Sequence, residues 1–187
     1  MMRFSLPYID QPLSFWQRLR DLHGGYIDEI YFPIHPRFAA SGRPVQPSRH
    51  LYSFLAFSEL DKSVLINPLV LHQPLSQLEE PLRKELEMLN RHYHVTQVTV
   101  ADLGLCRAIK KNLPQYKICA SVLMRLRSPE QIPYLDNQVD SLVLDTAIIR
   151  DLDKVRAMRQ SFSGAIKIIV NEGCLADCPF RIQHFYE

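Results

Sequence analysis

The sequence predicts an α/β fold in which parallel strands alternate with helices as in a (β/α) TIM barrel. Apolar runs of strand length alternate with stretches of helical periodicity along the whole chain. Two of the predicted strands contain nearly continuous apolar runs, residues 142–144 and 166–170, a pattern typical of a sheet covered on both faces. The unit of strand and helix recurs roughly every 20–35 residues, which suits a (β/α) barrel.

In the first half of the chain, predicted strands and predicted helices alternate from the first residues onward. The predicted strands are residues 3–9, 29–34, 64–70 and 95–100. The predicted helices are residues 13–22, which end at Gly24-Gly25, residues 50–60, and the long amphipathic stretch 75–91. A loop that contains proline and arginine, residues 35–49, follows the second strand. Because strands separated by helices pair in parallel through right-handed crossovers, one parallel sheet is expected.

The second half continues the pattern to a seventh strand. Its predicted strands are residues 117–120, 141–144 and 165–170, and its predicted helices are residues 103–112, 129–135 and 148–160. Since a complete barrel has eight strands, we expect one domain, residues 1–187, that is truncated after about seven strands and forms the N-terminal part of a longer protein. A doubly wound open sheet is the competing fold. No Gly-x-Gly-x-x-Gly follows the first strand, which weakens a dinucleotide-binding version.

Composition narrows the class of protein. Hydrophobic residues make up 47% and charged residues 22% of the chain, as in soluble globular proteins. A net charge of +2 gives no strong preference for nucleic acid or membrane. No apolar run is long enough for a membrane span, and the first residues become polar too quickly for a secretory signal. Four cysteines do not suggest a disulfide framework, so a cytoplasmic location is expected, where paired cysteines more often bind metals or react as redox groups.

Polar side chains follow the predicted strands, where β/α barrels place their chemistry. These residues are Tyr8, His35, Asn67, Asp102, Ser121, Asp145, Thr146, Asn171 and Glu172. We interpret Asp102 and Thr146 as caps of the helices that follow and Asn67-Pro68 as a turn. The loop after the second strand carries Arg37, Arg43 and Arg49, which could hold a carboxylate or phosphate; a solvated surface loop is the favoured interpretation.

The motif Cys174-x-x-x-Cys178, after the last strand, is the most informative feature of the sequence. Two thiolates at this spacing reach one ion when a loop turns into a helix. Pro179 suits the first helical turn, and a helix N-terminus lowers the pKa of a thiol. Arg181 adds to that effect, and His184 is a candidate third ligand if the helix is short or bent.

Several chemistries remain open for this motif. An iron–sulfur cluster usually needs four cysteine ligands, whereas zinc takes four nitrogen or sulfur ligands in structural sites and three with water in catalytic ones. A redox pair normally has the spacing Cys-x-x-Cys, and two unpaired cysteines in a turn are the structural alternative. Cys106, in a helical pattern, and Cys119, inside a strand, are interpreted as core residues. Further ligands would come from downstream sequence or from a partner.

The segment from Asn171 to His184, Asn-Glu-x-Cys-Leu-x-x-Cys-Pro-x-Arg-x-x-His, resembles a segment of the collagenase-like peptidases, family U32. Weaker support comes from Ala120-Ser121 and from Asp102-Leu103-Gly104. The resemblance implies a barrel-like catalytic domain. Some members of the family are named proteases, and others resemble oxygen-independent hydroxylation factors for transfer RNA, ribosomal RNA or ubiquinone precursors, with cysteine-bound iron–sulfur clusters. Those members carry four ligand cysteines, whereas only Cys174 and Cys178 match the motif here.

The sequence and the resemblance together lead to one expectation and two alternatives. We expect an enzyme in which Cys174 and Cys178 bind an iron–sulfur cluster, or zinc as the alternative, with His184 as a third ligand. Glu172 would act as an acid or base and Arg181 would anchor an anion, in an oxygen-independent hydroxylation of a small molecule or RNA. The first alternative is a metal- or thiol-dependent peptidase. The second is a non-catalytic subunit whose seventh strand and cysteine segment pair with a protein partner.

Overall fold

Within the described residues, seven strands form one sheet in which every neighbouring pair is parallel. The computed structural model describes residues 2–33, 48–68, 70–71, 73–135, 137–171, 178 and 180. The strands are β1 (Phe4–Pro7), β2 (Ile27–Pro33), β3 (Lys62–Ile66), β4 (Gln97–Val100), β5 (Lys117–Ala120), β6 (Ser141–Val143) and β7 (Ala165–Lys167). They lie side by side in sequence order. Since a doubly wound sheet reverses its strand order at a switch point, the competing fold is excluded.

Helices connect most of the successive strands. The α-helices are α1 (Leu13–His23), α2 (Leu51–Ala56), α3 (Leu75–Tyr93), α4 (Leu103–Asn112) and α5 (Leu152–Ser161), with short 3-10 helices at Gly24–Tyr26, Val122–Met124 and Pro129–Leu135. In the part of the chain that the structure describes, no helix combines the length and the apolar character that a membrane crossing requires.

One face of the sheet is apolar and packs against the helices. Val64, Val98 and Ile118 stand in register on neighbouring strands and are fully buried. They belong to one hydrophobic cluster with Trp16 of α1 and Leu86 of α3, among others. Because burying one such side chain contributes about 1.5–3 kcal/mol, this layer provides most of the driving force that holds the helices on the sheet.

The sheet is strongly curved, as a barrel requires. Lys167 at the end of β7 donates from Nζ to Oε1 of Glu29 on β2 at 2.5 Å. In a flat sheet these strands would lie about 24 Å apart, at about 4.8 Å per strand, which no lysine–glutamate pair can bridge. The described sheet therefore curves around an interior that this contact spans, and the predicted barrel-like α/β fold is confirmed.

The predicted elements are observed, with shifts at their ends that have local causes. The third strand ends at Ile66 because Asn67-Pro68 follows, and proline cannot donate to a sheet ladder. Residues 129–135 form a 3-10 helix rather than an α-helix, with Pro133 inside it. The last helix begins at Leu152 instead of residue 148, because Asp151 accepts a hydrogen bond from the backbone N–H of Lys154 at 3.1 Å.

Candidate functional site

Some of the polar residues at the carboxyl ends of the strands are helix caps. Asp102 accepts from the N–H of Leu105 at 2.8 Å and caps α4, which confirms the prediction for this residue. Ser121 does the same, more weakly, for the N–H of Leu123 at 3.3 Å. The corresponding prediction for Thr146 is wrong, because Asp151 caps the helix after β6.

The carboxylate of Asp10, which follows β1, binds the residues that precede α2. Asp10 Oδ1 accepts from the hydroxyls of Ser48 at 2.7 Å and Tyr8 at 3.1 Å, and from the N–H of His50 at 2.9 Å. Its other oxygen accepts from the N–H of Arg49 at 3.1 Å. The hydrogen bond from Ser48 and those from the backbone lower the pKa of Asp10 well below its ordinary value, and burial raises the pKa of Tyr8 to about 12. This junction fixes the start of α2; His35, Arg37 and Arg43 of the loop lie outside the described residues.

The second cluster at this edge centres on Asp145, which follows β6 and is 1% exposed. Its Oδ2 accepts from Nε of Arg127 at 2.8 Å and lies 3.6 Å from Nε of Arg125. Its Oδ1 accepts from the N–H of Ala147 at 2.9 Å. The backbone N–H of Asp145 donates to the carbonyl of Leu126 at 3.1 Å. Asp145 therefore links the segments that follow β5 and β6, and its buried carboxylate faces two arginines.

The segment that carries these arginines is fixed by a second side chain. Gln131 Oε1 accepts from the N–H of Arg127 at 2.6 Å and from the N–H of Ser128 at 3.0 Å. Its Nε2 donates to the carbonyl of Arg125 at 3.4 Å. Arg125 adopts a left-handed backbone conformation with φ of 54°, which is uncommon for a residue other than glycine. Sequence reasoning singled out Asp145 but missed both arginines, although they follow the polar end of β5 closely.

The interior of the curved sheet is lined by a polar layer that sequence reasoning also missed. Ser63, Thr99 and Cys119 point to the same face as Glu29 and Lys167, in alternation with the apolar layer that meets the helices. Ser63 and Thr99 share a hydroxyl hydrogen bond of 3.3 Å. Within the described residues, Glu29 Oε2 is buried and has no hydrogen-bond partner.

Two carboxylates, those of Glu29 and Asp28, lie next to the ammonium group of Lys167. Burial opposes the charged form of Lys167, but the carboxylates of Glu29 and Asp28, the latter 3.2 Å away, raise the pKa of its ammonium overall. Burial raises the pKa of the Cys119 thiol, and it raises the pKa of Cys106 to about 12. Neither thiol is therefore poised as a thiolate nucleophile or metal ligand, and the interpretation of both as buried residues is confirmed.

The cysteine segment follows β7 in the sequence. Asn171 is exposed, and Cys178 carries a free, half-buried thiol. Glu172, Cys174, Arg181 and His184 lie outside the described residues. Their predicted roles as acid or base, ligands and anion anchor therefore remain predictions. Among the described residues, no group of three or more histidine, cysteine, aspartate and glutamate side chains is arranged to hold a metal ion.

Comparison with known proteins agrees with this architecture. A solved structure of a U32 peptidase superimposes on 100% of this chain and 75% of its own, with a TM-score of 0.75 and 17% sequence identity. At that identity the likeness concerns the fold. An uncharacterized protease of Methanocaldococcus jannaschii is 44% identical over 92 residues, which are 49% of this chain and 27% of that protein. The matched region thus spans little more than a quarter of the relative's length.

The sequence pattern of one family extends over most of the structure described above. The model for peptidase family U32 matches residues 50–175, which run from α2 through all the later strands and helices into the cysteine segment. That match covers more than half of the chain. It agrees with the resemblance that the terminal motif suggests. The chain belongs to peptidase family U32.

Proposed function

We propose that this chain forms the barrel of an enzyme that acts at the carboxyl edge of its sheet, where Cys174 and Cys178 bind an iron–sulfur cluster. The observation that carries the proposal is the course of β7. This strand is fixed in the barrel through Lys167 and Glu29, and it leads within a few residues into the cysteine motif. Parallel β/α barrels build their active sites from the segments that follow their strands.

The donor set of the segment supports a metal centre but does not complete a cluster. Cys174, Cys178 and His184 offer three donors, whereas clusters usually take four cysteine thiolates. Cys106 and Cys119 are poor candidates for the missing ligands, because burial raises the pKa of both thiols. A cluster would therefore need a ligand from outside this set, while zinc with an open position would accept the three donors as they are.

The proposed reaction is an oxygen-independent hydroxylation of a small molecule or RNA. When bound, a cluster would relay electrons; because replacing C–H by C–OH with the oxygen of water releases two electrons and two protons, the reaction also needs a two-electron acceptor from outside this chain. Glu172 would move a proton at the substrate, and Arg181 would orient an anionic group. These roles rest on the family resemblance and on the residue types present.

Peptide hydrolysis is the second candidate. It is favoured by the family to which the chain belongs and by the relative that is called an uncharacterized protease. In this case the three donors would hold zinc, whose bound water has a lowered pKa. Glu172 would serve as the base that accepts a proton from that water.

Metal analysis after anaerobic purification tests the proposal. We expect iron and acid-labile sulfide in comparable amounts in the whole chain, and their loss in Cys174→Ser and Cys178→Ser. Cys106→Ala is the matched control, since that thiol is buried in α4, and it should keep the wild-type iron content. About one zinc per chain without sulfide would favour the peptidase instead. A protein without iron under strict anoxia, or iron that persists in the two serine variants, would refute the cluster.

A further inference from the structure

We propose that Arg125 and Arg127 form a phosphate-binding site at the carboxyl edge of the sheet, which selects a substrate that carries a phosphate group. The inference rests on the proposed function in one respect, because it assigns this site to the edge where the reaction would occur. It does not depend on the nature of the metal. Its basis is the way in which the two guanidinium groups are anchored.

Both arginines turn the same end of the guanidinium group, Nε, toward Asp145. Arg127 donates from Nε to Asp145 at 2.8 Å, and Nε is also the nitrogen of Arg125 nearest to that carboxylate, at 3.6 Å. Within the part of the chain that the structure describes, the Nη nitrogens of these two residues make no hydrogen bond. The outer fork of each guanidinium is therefore available for an oxyanion, in the bidentate geometry that suits phosphate and carboxylate.

The charge distribution favours an incoming anion. The side chain of Asp145 is 2% exposed, whereas those of Arg125 and Arg127 are 55% and 38% exposed. Among these three side chains, one buried carboxylate faces two more exposed cations, which leaves a net charge of +1. A purely structural ion pair would need only Arg127, which already makes a hydrogen bond at good distance. Arg125 stands beyond hydrogen-bonding distance and contributes a second cation that the buried carboxylate does not require.

The site is organised before any ligand arrives. Leu126 is buried between the two arginines in sequence, and Gln131 fixes the backbone on both sides of it through three hydrogen bonds. Arg125 adopts its left-handed backbone conformation within this hydrogen-bonded segment. A fixed backbone at both arginines and the hydrogen bond of the Arg127 guanidinium to Asp145 reduce the conformational entropy that is lost on binding, which increases affinity.

The number of acceptor oxygens indicates the ligand class. A carboxylate has two oxygens and one negative charge, and one fork can engage both oxygens. A phosphate monoester presents three oxygens and carries up to two negative charges, so that it can engage both arginines at once. We therefore assign the site to phosphate rather than to a carboxylate.

Calorimetric titration of the whole chain with inorganic phosphate tests this assignment, at an ionic strength held constant with sodium chloride. We expect one phosphate per chain, and a dissociation constant about tenfold higher in Arg125→Gln, as for the loss of one charge-assisted interaction. Arg125→Gly is the second variant, because glycine adopts this backbone conformation without strain. Arg156→Gln is the matched control: Arg156 is an exposed arginine of α5 that pairs with Asp153, and its removal should leave phosphate binding unchanged.

Three results would overturn the assignment. These are wild-type affinity in Arg125→Gly, acetate binding as tight as phosphate binding, and the absence of phosphate binding to the wild-type chain. The outcome is separable from that of the metal proposal. If Cys174→Ser loses iron but binds phosphate normally, the anion site is independent of the metal. If the wild-type chain holds no iron under strict anoxia but binds phosphate, the metal proposal fails and the anion site stands. If Arg125→Gly keeps iron but loses phosphate, both proposals stand.

Discussion

The ion pair between Glu29 and Lys167 is expected to be a main support of the curved sheet, and Lys167→Met tests this directly. The variant leaves Glu29, whose side chain is 3% exposed, without its cation in the barrel interior. Removing one partner of a buried pair costs about 3–5 kcal/mol. Since the side chain of Lys167 is 18% exposed, we expect the lower end, about 3 kcal/mol. That is a large share of the roughly 5–15 kcal/mol that stabilises a typical domain.

Urea unfolding provides the assay, because the single tryptophan, Trp16, is buried in the core and its fluorescence reports unfolding. The control is Lys154→Met, which removes an exposed lysine paired with Asp151 and should cost less than about 1 kcal/mol. The double variant Glu29→Leu with Lys167→Met should regain most of the lost stability, since apolar replacement of a buried pair is often neutral. A Lys167→Met variant as stable as the control would refute the role of the pair in stabilising the curved sheet.

The ion pair between Glu29 and Lys167 should also make the free energy of unfolding depend on pH in the alkaline range. Because the pKa of Lys167 is raised in the folded state, its contribution is present below the ordinary lysine pKa of about 10.4 and is lost as pH rises through the raised value. The difference in unfolding free energy between wild type and Lys167→Met should therefore shrink above about pH 10. A difference that grows with pH in that range would contradict the assigned direction.

Two further predictions concern other buried positions. Burial lowers the pKa of Lys62 to about 8, so its charge opposes folding at neutral pH. Lys62→Met should therefore stabilise the fold at pH 7 by about 1–3 kcal/mol, measured by urea unfolding. This gain should vanish between about pH 8 and 10, where the lysine of the wild type loses its proton. A Cβ at Gly164 would lie 2.4 Å from the carbonyl oxygen of Asp140. Gly164→Ala should therefore lower the free energy of unfolding by about 1–3 kcal/mol through overpacking. Gly25→Ala is the control, because a Cβ there would meet nothing within 4 Å and should leave the thermal midpoint nearly unchanged.

The fold could be predicted from the sequence because its determinants are local. The predicted bounds of residues 103–112 and 117–120 agree with the observed ones, since Asp102 marks the start of one helix and the apolar run of β5 is short. The predicted start of α5 is wrong because Thr146 and Asp151 are both suitable caps, and only the three-dimensional path selects Asp151. Such competition between neighbouring caps cannot be decided from residue type alone.

The candidate site was harder to predict, because its parts meet only after the sheet has curved. Glu29 and Lys167 are 138 positions apart, and each occurs in a strand whose pattern is mainly apolar. Nothing in the local sequence of either residue indicates that the interior face is polar. Asp145 was identified from its place after a strand, but its partners Arg125 and Arg127 follow a different strand, and their convergence depends on the register of β5 and β6.

The two proposed sites are related by the order of the strands. Asp145 follows β6, and the cysteine segment follows β7, which is the next strand in the sheet. The pairing continues beyond the regular strand, since the N–H of Leu144 donates to the carbonyl of Lys167 at 3.0 Å. Neighbouring strands are about 4.8 Å apart, so a phosphate held by Arg125 and Arg127 would bring the rest of a small substrate toward the end of β7. A metal centre on Cys174 and Cys178 would then meet the substrate at a point remote from its phosphate. The binding energy of the phosphate group, which does not react, would thereby position the part of the substrate that does react.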